Sequence, residues 1–217
     1  MPIIHPEGPA DGLGELSRVL SDFFGNPDLV SSTALKALDP HNLAAANPHH
    51  RYTVGMRRLA DGHFLDAAEA HGWRYLLLEG DRAVGEFTLS EESVEGKLDF
   101  QSLTTGKIPA GCLTAHYVAE GLPKVAKGDW ELSLIEAPAL PFCALWLRDR
   151  SAPDDLFVPV TPVNLGLDAR RGYSAAELQP VLQKAAKQTV GLHEKTFTRL
   201  GPIPPQHKDV DQDQSAS

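Results

Sequence analysis

Residues 142–147 read Phe-Cys-Ala-Leu-Trp-Leu, an unbroken apolar run bounded by Pro141 and Arg148. Successive side chains of a strand point to opposite faces, so this strand is apolar on both and must be covered on both. That requirement places it in the interior of a sheet, under covering helices. Its neighbours in sequence are strand-like too. In Trp130-Glu131-Leu132-Ser133-Leu134 the apolar residues alternate, as on a half-buried strand. Leu156 to Val160 returns across Arg148 to Asp155, and Pro159, which has no N–H to donate, suits an edge or a strand end. Further upstream, Tyr75 to Glu79 and Ala83 to Leu89 flank Gly80-Asp81-Arg82, a short hairpin connection. An acidic loop, Glu91 to Gly96, leads to one more short strand at Phe100 to Leu103.

Helical spacing governs other segments. Leu13, Leu16, Val19, Leu20, Phe23 and Phe24 keep to one stripe, with Gly25 as a left-handed stop. Asn26-Pro27-Asp28 predicts the start of a second helix, buried through Leu29, Val30, Ala34, Leu35 and Leu38. Residues 41–50 follow neither period, Asn47-Pro48-His49-His50 reads as a loop, and a helix is predicted over 62–71, ending at Gly72. Pro109 introduces a helix carrying Leu113, Tyr117, Val118 and Leu122. Ser174 and Glu177 make a capping box for the last helix, whose inner face is Leu178, Val181, Leu182 and Ala185. This order does not alternate as a parallel sheet requires. The predicted class is α+β: an antiparallel sheet of about five strands, helices mainly on one face, and an N-terminal helical segment. Residues 1–10 form an extended N-terminal arm and 11–200 a single domain. Residues 201–217 form a mobile, Pro-rich acidic tail with little to bury.

The formal net charge is −9, and the densest basic clusters are Arg57-Arg58 and Arg170-Arg171, neither interleaved with aromatics. Nucleic acid and anionic membranes are therefore excluded as expected partners. No apolar run approaches the ~18 residues of a bilayer span. The N-terminus has no basic or hydrophobic leader, so a cytoplasmic location is expected. Cys112 and Cys143, far apart and each in apolar surroundings, are expected as buried, reduced thiols.

Specific catalytic signatures are missing. The chain has no Walker A loop, no Gly-x-Gly-x-x-Gly after a strand, no His-Glu-x-x-His, no Gly-x-Ser-x-Gly and no Cys-x-x-Cys. The candidates that remain are histidine-centred. On the predicted helix, His63 and Asp66 share a face and could bind one metal, joined by His71 from the helix end. The simpler reading, a solvated helix surface with no bound metal and no cofactor, is the one adopted. His49-His50 reads as a surface pair. His116, Glu120 and Lys124 recur every four residues along one helix, a row that suits an exposed face. Cys112 near His116 lacks an orienting acid within the motif. Asp209, Asp211 and Asp213 begin like a calcium loop but lack its glycine and terminal glutamate.

The expected function is that of a non-catalytic cytoplasmic protein that binds another protein, as adaptor, inhibitor or immunity-type factor, or assembly component. Homo-oligomerisation is compatible with that role. The alternative is an enzyme or small-ligand binder, with a pocket between sheet and helices using His63, Asp66, His71 and His116.

Overall fold

The computed structural model describes residues 3–26, 28, 33–90, 98–150, 154–163 and 165–200, with side chains as far as Leu192. The expected acidic loop at 91–96, part of the second helix's predicted start, and the tail with its aspartates lie outside the described residues. The elements run β1 (Ile3–Ile4), α1 (Gly12–Gly25), α2 (Thr33–Lys36), β2 (Leu43–Val54) and α3 (Met56–Ala60), then β3 (Ala68–Glu79), β4 (Arg82–Leu89) and β5 (Phe100–Thr105). After these come α4 (Lys107–Glu120), β6 (Trp130–Ala137), β7 (Phe142–Asp149), β8 (Leu156–Pro159) and α5 (Ala175–Leu200).

Mixed α and β structure is present as expected, but the sheet is larger than five strands and partly parallel. Among the described residues it has eight strands in the order β5-β4-β3-β2-β6-β7-β8, with β1 also beside β6. Strands β2 to β5 and β6 to β8 each form an antiparallel meander. The chain leaves β5, crosses the sheet through α4 and returns beside β2, which makes β2 and β6 parallel. The short β1 runs parallel to the start of β6, pairing Ile3 with Trp130. The apolar run lies in β7, between β6 and β8, with Leu145 only 2% exposed. Pro159 ends β8, the edge strand.

Three local readings are overturned. Asn47-Pro48-His49-His50 lies within strand β2, not in a loop: Asn47-Pro48 marks a bulge, with Asn47 at φ 52 and a register shift between Ala46 and His49. Residues 62–71 are not a helix. Gly62 turns at φ 93, Leu65–Ala67 is a single tight turn, and β3 begins at Ala68, opposite Val54. Pairing with β2 overrides the helical propensity of Ala67-Ala68-Glu69-Ala70. Gly25 is likewise no left-handed stop; α1 ends with the Asn26 N–H bonded to the Asp22 carbonyl.

Ladder partners share a face, so the core divides by face. On one face, α3 and α5 cover Ile135, Ala144, Trp146 and Phe157, while α1 covers Tyr75, Leu77, Phe87 and Leu89. On the other, α4 covers Leu76, Leu132, Leu134, Leu145 and Leu147. The capping box forms as read: Ser174 N–H donates to Glu177 Oε2 at 2.8 Å, and Glu177 N–H donates to Ser174 Oγ at 3.3 Å.

Candidate functional site

The four residues singled out from sequence fall in three places. His63 Nδ1 meets Asp66 Oδ2 at 2.5 Å, and Asp66 Oδ1 also accepts the Phe64 N–H at 3.0 Å. The pair closes an exposed turn rather than a helix face, and the bond from His63 holds the Asp66 carboxyl below its ordinary range. His71 is exposed on β3. His116 is buried on α4, 7% exposed, with Glu120 3.6 Å away. Its row runs from buried His116 through half-buried Glu120 to exposed Lys124, which lies past the end of α4. Among the described residues no group of three His, Cys, Asp or Glu side chains is placed to hold a metal.

What does converge is a polar layer between α4 and the sheet. The helix was expected to carry Leu113, Tyr117, Val118 and Leu122, yet Tyr117 is 59% exposed, and the buried face is Cys112, Ala115, His116 and Ala119. Small residues let the helix approach closely. A Cβ on Gly111 would stand 2.0 Å from the Thr161 carbonyl oxygen. Beneath it, His49, Arg74, Thr88 and Ser102 form one row across β2 to β5. Thr88 and Ser102 share a hydroxyl hydrogen bond of 2.7 Å.

Arg74 is the hub, 1% exposed. Its guanidinium donates to Cys112 Sγ at 3.0 Å and forms a salt bridge with Glu86, whose other oxygen accepts from Thr104 at 3.0 Å. A buried cation is tolerated only when paired. Burial alone would pull its pKa down, but Cys112 and Glu86 outweigh that and hold it above the ordinary arginine value. Cys143, reaching the layer from β7, packs against the cluster that holds Cys112. The neighbouring Cys143, aided by Arg74, lowers the Cys112 pKa, while Cys112 and burial push the Cys143 thiol well up. Glu136, opposite Cys143 on β6, is pushed up by burial. Three histidines close the other end. His5 and His116 lie 5.2 Å apart between ring centroids. Burial lowers both, and burial with Arg74 nearby lowers His49 to about 3.

A second concavity, of about 640 Å³, runs between α1 and the start of β2, lined by Leu13, Leu20, Phe24, Pro40, Leu43 and Ala45. Leu13, expected inward with the rest of its stripe, is 57% exposed there. Leu43–Ala46 pair with β3 on one side only. On the other side β2 meets β6 no earlier than His50, so among the described residues this stretch has an open backbone edge. Both sites were missed for the same reason, the misreading of β2. One signal was available: Arg74 interrupts Trp73 and Tyr75-Leu76-Leu77-Leu78, a charge within an otherwise apolar strand. Comparison with family models, with curated proteins and with solved structures finds no significant match.

Proposed function

We propose that this protein works without catalysis, by binding an extended segment of another protein along the open edge of β2. The observation that carries the reading is the coincidence of that edge, Leu43–Ala46, with the apolar groove beside it. An edge strand offers unpaired N–H and C=O groups to an added strand, and a flanking groove receives alternate side chains. The net charge of −9 favours a segment carrying Lys or Arg over an acidic one. Among the described residues no helix is long and apolar enough to cross a membrane, and the two free thiols fit a reducing cytoplasm. A second reading, a small ligand held between sheet and helix, is favoured by one observation, the polar layer beneath α4 to which His116 contributes.

Selection of short random peptides on the immobilised full chain tests the proposal, with Leu13→Glu and Leu43→Glu variants as controls. The expected peptides alternate apolar and basic residues, bind the parent at about 10–100 μM, and lose at least about tenfold in affinity on both folded variants. Peptides that bind parent and variants equally, or none above background, overturn the reading. So does a parent dimer that dissociates on these substitutions, since the occupant would then be a second copy of the chain.

A further inference from the structure

We infer that Cys112 and Cys143 are a peroxide-reactive dithiol that closes to a disulfide beneath α4. The inference rests on the polar layer and is independent of peptide binding at the α1 groove. Three features of the geometry support it. The two cysteines, from α4 and β7, meet in one cluster between helix and sheet, where Cys143 packs against the core that holds the buried Cys112, although thirty-one positions separate them in sequence. Arg74 Nη1 lies 3.0 Å from Cys112 Sγ, so the first sulfur carries a fixed cation that stabilises its thiolate. The second sulfur lines an opening. Cys143 and Glu136 face a pocket of about 250 Å³ together with Ile108, which sits one helical turn before Cys112. A small hydroperoxide fits that space, whereas a bulky disulfide such as glutathione does not reach the thiolate behind it.

The chemistry balances with hydrogen peroxide as the oxidant. The Cys112 thiolate attacks one peroxide oxygen; an S–O bond forms, the O–O bond breaks, and hydroxide leaves to take up the thiol's released proton as water. Cys112 is now a sulfenic acid. Cys143 then gives its proton to Glu136, its ladder partner on β6, which lines the same pocket. The Cys143 thiolate attacks Cys112 sulfur; the S–S bond forms, the S–O bond breaks, and the departing hydroxide leaves as water with the proton from Glu136. Two thiols are oxidised and one peroxide is reduced to two waters. Closing the bond removes the thiolate that Arg74 holds and ties α4 covalently to β7.

The test is stoichiometric peroxide added to the folded full-length chain, followed by quenching, unfolding and thiol counting. The expected result is simultaneous loss of both thiols, a mass lower by two hydrogens, and a single cross-linked peptide containing Cys112 and Cys143. In Cys143→Ser the sulfenic acid should persist and take up dimedone at Cys112. Arg74→Lys, which keeps a cation, should react slowly, and Arg74→Gln slower still, by about tenfold relative to the parent. Two thiols recovered after peroxide overturn the inference. So do dimedone capture at Cys143 alone in the parent, oxidation of each cysteine without cross-linking, or equal rates in folded Arg74 variants.

Discussion

His49 is neutral in the fold to about pH 3, because burial first and the Arg74 cation second oppose its protonation. In the unfolded chain the same ring titrates near ~6.5. Between those values the unfolded state holds the extra proton, so stability is complete above pH ~6.5 and falls as pH drops towards 3. His5 and His116, also lowered chiefly by burial, act in the same direction, partly offset by Glu120 beside them. Glu136 acts oppositely, since burial raises it and the fold retains its proton. Urea melts from pH 7 to pH 4 should therefore show a steep loss of stability, up to about 1.4 kcal/mol per pH unit for each histidine. His49→Gln should remove close to one proton from that slope; an unchanged slope in a folded variant would show that His49 is protonated in the native state. None of this follows from sequence alone. A His-His pair beside Asn-Pro has the composition of a loop, and only the bulge in β2 sends His49 into the layer and His50 to the opposite face against Trp73. Burial of a lone histidine or arginine is decided by what lies across the sheet, and residue type does not record it.

The helices differ in how much of their placement was legible, and the difference is one of locality. The start of α5 is set by bonds between Ser174 and Glu177, three residues apart, so the sequence shows it directly. Ser174→Ala should lower stability by about 1 kcal/mol at unchanged m-value, measured in denaturant. Loss of Ser174 Oγ leaves the Glu177 N–H with only its 3.2 Å bond to the Ser174 carbonyl, while the Glu177 carboxylate still accepts from the Ser174 N–H. The orientation of α4 is a tertiary matter. Its large apolar residues suggested one inward face, but the chain beneath it lies so near that Gly111, Cys112, Ala115 and Ala119 make the buried face, with Val118 and Leu122 packed only partly against the leucines there. Contact distance decided against hydrophobicity. Gly111→Ala tests this, because its methyl meets backbone rather than a movable side chain. Overpacking of that kind costs typically ~1–3 kcal/mol. Tyr117→Ala on the exposed side should leave the midpoint unchanged within error. Equal effects of the two substitutions would mean that α4 is rotated from the position described.

At the scale of the molecule, the sheet is two meanders joined through one parallel contact, β2 against β6 over His50–Thr53. The interior apolar strand β7, one place from the sheet edge, could be read from sequence because both its faces are its own property. The parallel junction could not, since it depends on where α4 returns the chain. The N-terminal arm extends that junction. Ile3 and Ile4 occupy the side of β6 that β2 leaves vacant, Ile3 is 3% exposed, and its ladder partner Trp130 is 1% exposed. The arm then brings His5 against His116 and passes Gly8 close to the Tyr75 hydroxyl, so it touches three elements of the core. Burying Ile3 contributes roughly 1.5–3 kcal/mol, and each strand hydrogen bond about 0.5–1.5 kcal/mol net. Ordering the backbone costs about 1–2 kcal/mol per residue, which offsets much of that gain. Deleting residues 1–10 should leave a folded chain weakened by about 2 kcal/mol, a fall of roughly 4–8 °C in melting temperature for a domain of this size. Two further readouts separate lost packing from general damage. Trp130 fluorescence should shift to the red as its cover is removed. The acid dependence of stability should also become shallower, because the truncated chain lacks the His5 contribution. A truncated chain with unchanged melting temperature and unchanged tryptophan emission would show that β1 is not part of the sheet in solution, and that the β6 edge beside it is open.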